Sequence, residues 1–305
     1  MRFTLGEDRV DFAAAVRKAL ADGCPPAVVR AAWDGELNPA IWSTLVEMGT
    51  TDPDLDWVTR VAVAEEVGRA ALPHPWVESA FVCGPAAGAA CFGSTDAGTA
   101  PYVPAGADVD VVLLVTDDGC ALHEQSGIET SPVATVDGSR RLVEVTSRTS
   151  GTTVDPGVDP FLAGALGTAG VLVGLGQHLV DATVAYVSER HQFGQPVGGF
   201  QAVKHHLANA AKDVAFARPM VHRAAHGLDT DDPGAARDVS TAKALASDAA
   251  TLAAEVALQC HGAIGYTVEY DLHLWLKRVW ALSRAWGDAS HHRALVAESL
   301  GLTAR

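Results

Sequence analysis

Tyr186 to Ala208 reads YVSERHQFGQPVGGFQAVKHHLA, and Gln259 to Leu272 reads QCHGAIGYTVEYDL. Each stretch interrupts a long helical pattern with a short glycine-marked turn. Arg190 closes the first helix beside a turn built on Phe193-Gly194. A guanidinium can grip a diphosphate bidentately, and Phe193 offers a face for an adenine ring. Gly262 and Gly265 allow backbone N–H groups to approach an anion closely, which a β-carbon would hinder. Each feature also has a plain structural reading. A helix-end arginine complements the helix dipole, and a glycine turn simply stops a helix. It is the pair of motifs, separated by two long helices, that points to a binding function.

Working outward, three regions differ in texture. In DFAAAVRKALADG, Phe12, Val16 and Leu20 share one helical stripe, which Gly23 and Pro25-Pro26 are expected to stop. LNPAIWSTLVEMG and WVTRVAVAEEVGRAAL repeat the amphipathic pattern. Next come VDVVLLV and CALHE, flanking Asp118-Gly119, a strong hairpin signal. A second Asp-Gly, Asp137-Gly138, precedes the alternating RRLVEVT. About four antiparallel strands are predicted here. From Asp159 onward the chain is helical and Ala-rich, with helices expected over about 161–190, 199–226, 234–259 and 270–300. The expected fold class is α+β. An N-terminal helical domain spans 1–97, a reduced antiparallel β domain 98–157, and a C-terminal long-helix bundle that drives oligomerisation 158–305.

Composition sets wide bounds. The chain has 305 residues, enough to bury a sizeable core, with 48% hydrophobic and 19% charged residues. Five scattered cysteines without a CxxC pattern suggest reduced thiols and a cytoplasmic setting. A net charge of −15 opposes nucleic-acid binding. The start, MRFTLGEDRVDF, has no apolar core, so no signal peptide is expected. The apolar run from Leu162 to Gly176 is shorter than the roughly 20 residues that span a bilayer. It reads as a buried core helix, and no membrane association is expected. His205-His206 and His291-His292 are adjacent pairs whose side chains diverge on a helix, so no metal site is expected. No Walker loop or post-strand G-x-G-x-x-G is present.

The two opening stretches are similar to signatures of the acyl-CoA dehydrogenase family: R-x-x-F-G followed by F-Q, and Q-x-x-G-x-x-G-Y-T-x-E. AEEVGRAALPHP resembles the family's N-terminal helix, and YVPAGADVDVVLLV part of its middle β domain. The resemblance implies FAD-dependent α,β-desaturation of an acyl-CoA thioester. It also implies that Arg190, Phe193, Gln201, Gln259, Gly262 and Ala263 contact the ADP half of the FAD held by a neighbouring subunit. Ala263 departs from the family pattern, which usually has glycine there.

The family's chemistry requires a carboxylate base at the substrate α-proton. Where the family has Glu in a Y-E-G-T-like segment, this chain reads SRAWGDASHHR, placing Trp286 or Gly287 there. The alternative family position, counted back from Phe193, falls on Gly164. Asp288 lies next door, but it is one methylene shorter and displaced along a helix that turns about 100° per residue. It can equally be read as the N-cap of ASHHRALVAE. The family's T-E-x-x-x-G-S-D flavin-ring segment is reduced to STDAG at 94–98. This pattern resembles the short, base-less subunits of actinobacterial α2β2 enzymes acting on steroid-derived CoA thioesters. It implies a longer homologous partner that carries the base. A self-sufficient homo-oligomer using Asp288 and a flavin-free structural subunit are the alternatives.

Overall fold

The computed structural model describes residues 4–83, 89–94, 99–116 and 119–302. The chain opens with α1 (Glu7–Gly23), α2 (Pro26–Trp33), α3 (Pro39–Glu47) and α4 (Trp57–Ala70), followed by a π-helical turn at Glu78–Val82. Val16 and Leu20 of α1 are buried and Phe12 packs against the same core, so the predicted stripe faces inward. Pro25-Pro26 does more than stop α1. Pro26 takes the first position of α2, where its missing N–H and fixed φ cost nothing.

The β region is richer than the four antiparallel strands expected. β1 (Ala89–Ser94), β2 (Thr99–Pro104), β3 (Val111–Thr116), β4 (Gly119–Glu124), β5 (Ile128–Pro132), β6 (Leu142–Ser147) and β7 (Thr152–Val154) form two sheets, ordered β1-β3-β4-β7 and β2-β6-β5. All the pairings are antiparallel except β1 with β3, which is parallel. Strands such as TAPYVP, IETSP and TTV carry Pro and Thr in place of a clean apolar alternation, which hides them from a period-2 search. The hairpin joins β3 to β4 in the register Thr116↔Gly119, although Asp118 itself lies outside the described residues. So does most of STDAG, from 95 to 98. Asp137-Gly138 makes no hairpin turn. The Asp137 carboxylate instead caps a 3₁₀ turn by accepting from the Ser139 N–H. Ala100, Val103, Val112, Leu114, Val143 and Val145 form a small core of their own.

The C-terminal region holds α5 (Pro160–Glu189), a two-strand ribbon of β8 (His191–Gln192) and β9 (Gln195–Pro196), α6 (Gln201–Asp229) and α7 (Ala235–His261). The last expected helix is two helices, α8 (Leu272–Leu282) and α9 (Ala289–Ser299). They are separated where Trp286 and Gly287 both adopt left-handed backbone, at φ +56° and +86°. Asp288 then caps α9, its carboxylate accepting from the His291 N–H at 2.8 Å.

α5 is long and apolar enough to cross a bilayer by composition, but 83% of that apolar window is buried inside the protein. Its glycines explain its close packing. A β-carbon on Gly174 would fall 2.8 Å from the Glu65 carbonyl carbon, and one on Gly68 2.9 Å from that of Val171. The α4 and α5 backbones therefore touch, and only glycine permits it. Arg278 ties α8 to the β region. Its guanidinium pairs with the fully buried Asp137, and donates to Ser139 Oγ at 2.6 Å and to the Leu72 carbonyl at 2.7 Å.

Candidate functional site

Two exposed turns stand at the ends of α5 and α7. In the first, Phe193 and Gly194 link β8 to β9 with φ +51° and +80°. A two-residue hairpin loop of this hand needs positive φ at both positions. Glycine meets that demand freely, whereas Phe193 is held in a region that non-glycine residues rarely occupy. Its ring is nevertheless 92% exposed. A strained, solvent-facing aromatic is a frequent mark of a binding element. Arg190 forms the C-cap of α5, its N–H bonded to the Tyr186 carbonyl at 2.9 Å. The Arg190 guanidinium is exposed and makes no hydrogen bond or ion pair among the described residues.

In the second turn, Gly262 has φ +64° and ψ −140°. That backbone is glycine's own territory, and open space surrounds the position a β-carbon would take. Gly265 differs. It is buried, and an added β-carbon would sit 3.2 Å from Leu258 and His261. Its smallness therefore serves packing, and Gly262 is the one that offers an open approach. Gln201, Gln259 and Ala263 are exposed like Arg190 and Phe193.

A contact that neither motif reveals joins the two turns. The Tyr186 ring stacks on His261 with centroids 4.2 Å apart and planes 20° from parallel. Tyr270 packs beside both rings, 5.2 Å from His261 and 6.1 Å from Tyr186. His261 is only 5% exposed, and burial lowers its basicity. Its presence inside QCHG was the available signal, but helix packing decides where the ring points. An unpaired guanidinium, an open glycine turn and an exposed ring suit an anionic dinucleotide such as FAD.

The two positions for a base also meet. Gly164 faces the indole of half-buried Trp286, and neither residue is acidic. Glu78 is buried near by, and burial pushes its pKa upward. Sequence reasoning missed Glu78, because ESAFV carries no mark of burial for its acid. The cavity beside it, lined by His74, Glu78, Arg140, Thr168 and Arg278, holds about 40 Å³. Small-molecule pockets hold roughly 300–1,000 Å³, so no acyl chain fits there. Asp288 is exposed, and its bond from the His291 N–H lowers its pKa. Of the histidine pairs, His205 and His206 are both exposed, while His291 is exposed and His292 buried. Among the described residues, no group of three or more potential metal ligands converges.

A helical frame around two small sheets, with paired turns at the ends of long helices, is the acyl-CoA dehydrogenase fold. The chain superposes on one chain of the ChsE4-ChsE5 complex from Mycobacterium tuberculosis with a TM-score of 0.86 at 22% identity, covering 100% of this chain and 100% of that one. It superposes on the Tcur3481-Tcur3483 steroid acyl-CoA dehydrogenase with a TM-score of 0.83 at 20% identity, covering 98% of this chain and 99% of that one. The family model for the acyl-CoA dehydrogenase C-terminal domain matches residues 158–301. The acyl-CoA dehydrogenase IpdE2 of Mycobacterium tuberculosis is 30% identical over 300 residues, covering 89% of this chain and 91% of IpdE2. The chain belongs to the acyl-CoA dehydrogenase family.

Proposed function

We propose that this chain is the non-basic subunit of a heteromeric, FAD-dependent acyl-CoA dehydrogenase. It holds the ADP half of an FAD whose flavin ring and catalytic base belong to a longer homologous partner. The single observation behind this reading is an asymmetry. The Arg190 and Gly262 turns stand open and side by side, while Gly164 and Trp286, where a base would stand, fill each other. The FAD, when bound, would accept the substrate β-hydrogen as hydride. Arg190 would hold the diphosphate, Phe193 would lie against the adenine, and the Gly262 backbone would approach the remaining oxygens, with Gln201, Gln259 and Ala263 beside them. The substrate is an acyl-CoA thioester, with a steroid-derived acyl group favoured. Similarity to IpdE2, to one chain of the ChsE4-ChsE5 complex and to a steroid acyl-CoA dehydrogenase of two named chains supports an α2β2 assembly and that substrate class.

The test is flavin absorbance in the purified chain, alone and co-purified with its longer homologue. Flavin only in the complex is the expected result. Flavin in the chain alone would favour a self-sufficient homo-oligomer, and flavin in neither would favour a structural subunit.

A further inference from the structure

We propose that His261 is a positioning residue for FAD, clasping the Arg190 hairpin and the Gly262 turn at a fixed separation. This rests on the reading above and names a residue that neither family signature singles out. Tyr186 lies one helical turn before Arg190 and supplies the carbonyl that bonds the Arg190 N–H. The place of its ring therefore sets the place of the α5 end. His261 is the last residue of α7 and adjoins Gly262. Stacking the one ring on the other at 4.2 Å couples the two helix ends directly. Tyr270, which follows the glycine turn, lies 5.2 Å from His261 and 6.1 Å from Tyr186, completing a three-ring cluster.

The imidazole suits this place. Its Nδ1 lies 2.8 Å from the Ala257 carbonyl, one turn back in α7, so Nδ1 carries the hydrogen and donates it. That bond fixes the ring's orientation. Nε2 is buried without a partner among the described residues, and the ring, packed beside two tyrosines, has no charge to desolvate when neutral. Arg190 and Phe193 project into solvent, so their spacing from Gly262 depends on the elements beneath them. Removing the ring would leave both turns folded, on helices still packed together, but would loosen the spacing of their ends. A pre-set spacing reduces the ordering cost of binding.

The experiment is an FAD titration of the complex with the longer homologue, carrying His261→Ala, His261→Phe or His261→Gln, with Arg190→Ala as reference. His261→Ala is expected to weaken FAD about tenfold, as loss of preorganisation does. His261→Phe, which keeps a flat ring, should stay within about twofold, and His261→Gln, which keeps a polar group without the ring, should behave like Ala. Turnover of the Ala complex should return to the wild-type value at saturating FAD, a recovery that general misfolding would not allow. Wild-type affinity in His261→Ala beside a loss in Arg190→Ala overturns the clasp alone. Wild-type affinity in Arg190→Ala overturns the site, and the clasp with it. If His261→Ala fails to assemble, the Phe and Gln variants decide: retention by both overturns the proposal, whereas retention by Phe and loss by Gln supports it.

Discussion

The indole of Trp286 lies against the backbone of Gly164: a β-carbon there would fall 2.6 Å from Cε3 and closer still to Cδ2 and Cε2. Positions 164 and 286 are those at which a substrate-facing carboxylate would be sought. Here one has no side chain and the other a large apolar ring. The two positions fill each other's space through the chain's own packing.

Gly164→Ala should therefore destabilise the chain by about 1–3 kcal/mol, the usual cost of overpacking a tight core. Combining it with Trp286→Ala should recover part of that loss. The coupling expected between residues in contact is about 0.5–3 kcal/mol. Urea unfolding of the four proteins of the cycle measures it, and strict additivity would show that the two positions do not touch in solution.

Lys243 braces the same turn. It is fully buried in α7, with Nζ 2.9 Å from the Gly287 carbonyl, 3.3 Å from that of Ser283 and 3.2 Å from Ser247 Oγ. Burial lowers its pKa from 10.5 to about 7, with the Asp288 charge opposing the shift. Between those two values the unfolded chain binds a proton that the native chain has released. Stability from this group therefore rises with pH across that window and is lost as pH falls through about 7. Wild type minus Lys243→Met stability, measured at steps from pH 7 to 10, should increase with pH. A flat difference would contradict the burial of the ammonium.

Much of the helical frame is legible, since Gly23, GLDTDDPG and HGAIG stop helices by known backbone rules. The α8–α9 break is not. Apolar spacing continues through ALSRAWGD, and the stop depends on left-handed backbone at Trp286, which no propensity selects. Lys243 in an Ala-rich helix reads as a solvated residue, yet tertiary packing buries it completely. The Arg278–Asp137 pair joins residues 141 apart in sequence, beyond any local pattern. The site divides in the same way. Arg190, Phe193 and Gly262 lie in readable motifs, whereas the Tyr186–His261–Tyr270 stack and the buried Glu78 emerge only when helices pack.

Asp288→Asn should leave turnover of the reconstituted complex within about tenfold, because a general base is worth roughly 10²–10⁴ in rate. The carboxylate is engaged as the N-cap of α9, and Asn caps nearly as well. Thermal stability should accordingly hold in Asp288→Asn and fall measurably in Asp288→Ala. A steady-state assay beside a melting curve separates the two roles, and a hundredfold rate loss with unchanged melting would make Asp288 the base.

The central claim is that this chain grips a partner's FAD through Arg190, and the most direct measurement is the FAD affinity of an Arg190→Ala complex, taken beside its circular dichroism spectrum. Charge-assisted bonds to the diphosphate are lost, so affinity should fall about tenfold or more. Arg190→Lys should restore only part of it, because an ammonium cannot form the two-pronged contact. The spectrum and the assembly should be unchanged, since the guanidinium is exposed and free of intrachain partners among the described residues. Wild-type FAD affinity in a correctly folded Arg190→Ala complex would contradict the account and leave Arg190 as a helix-end charge.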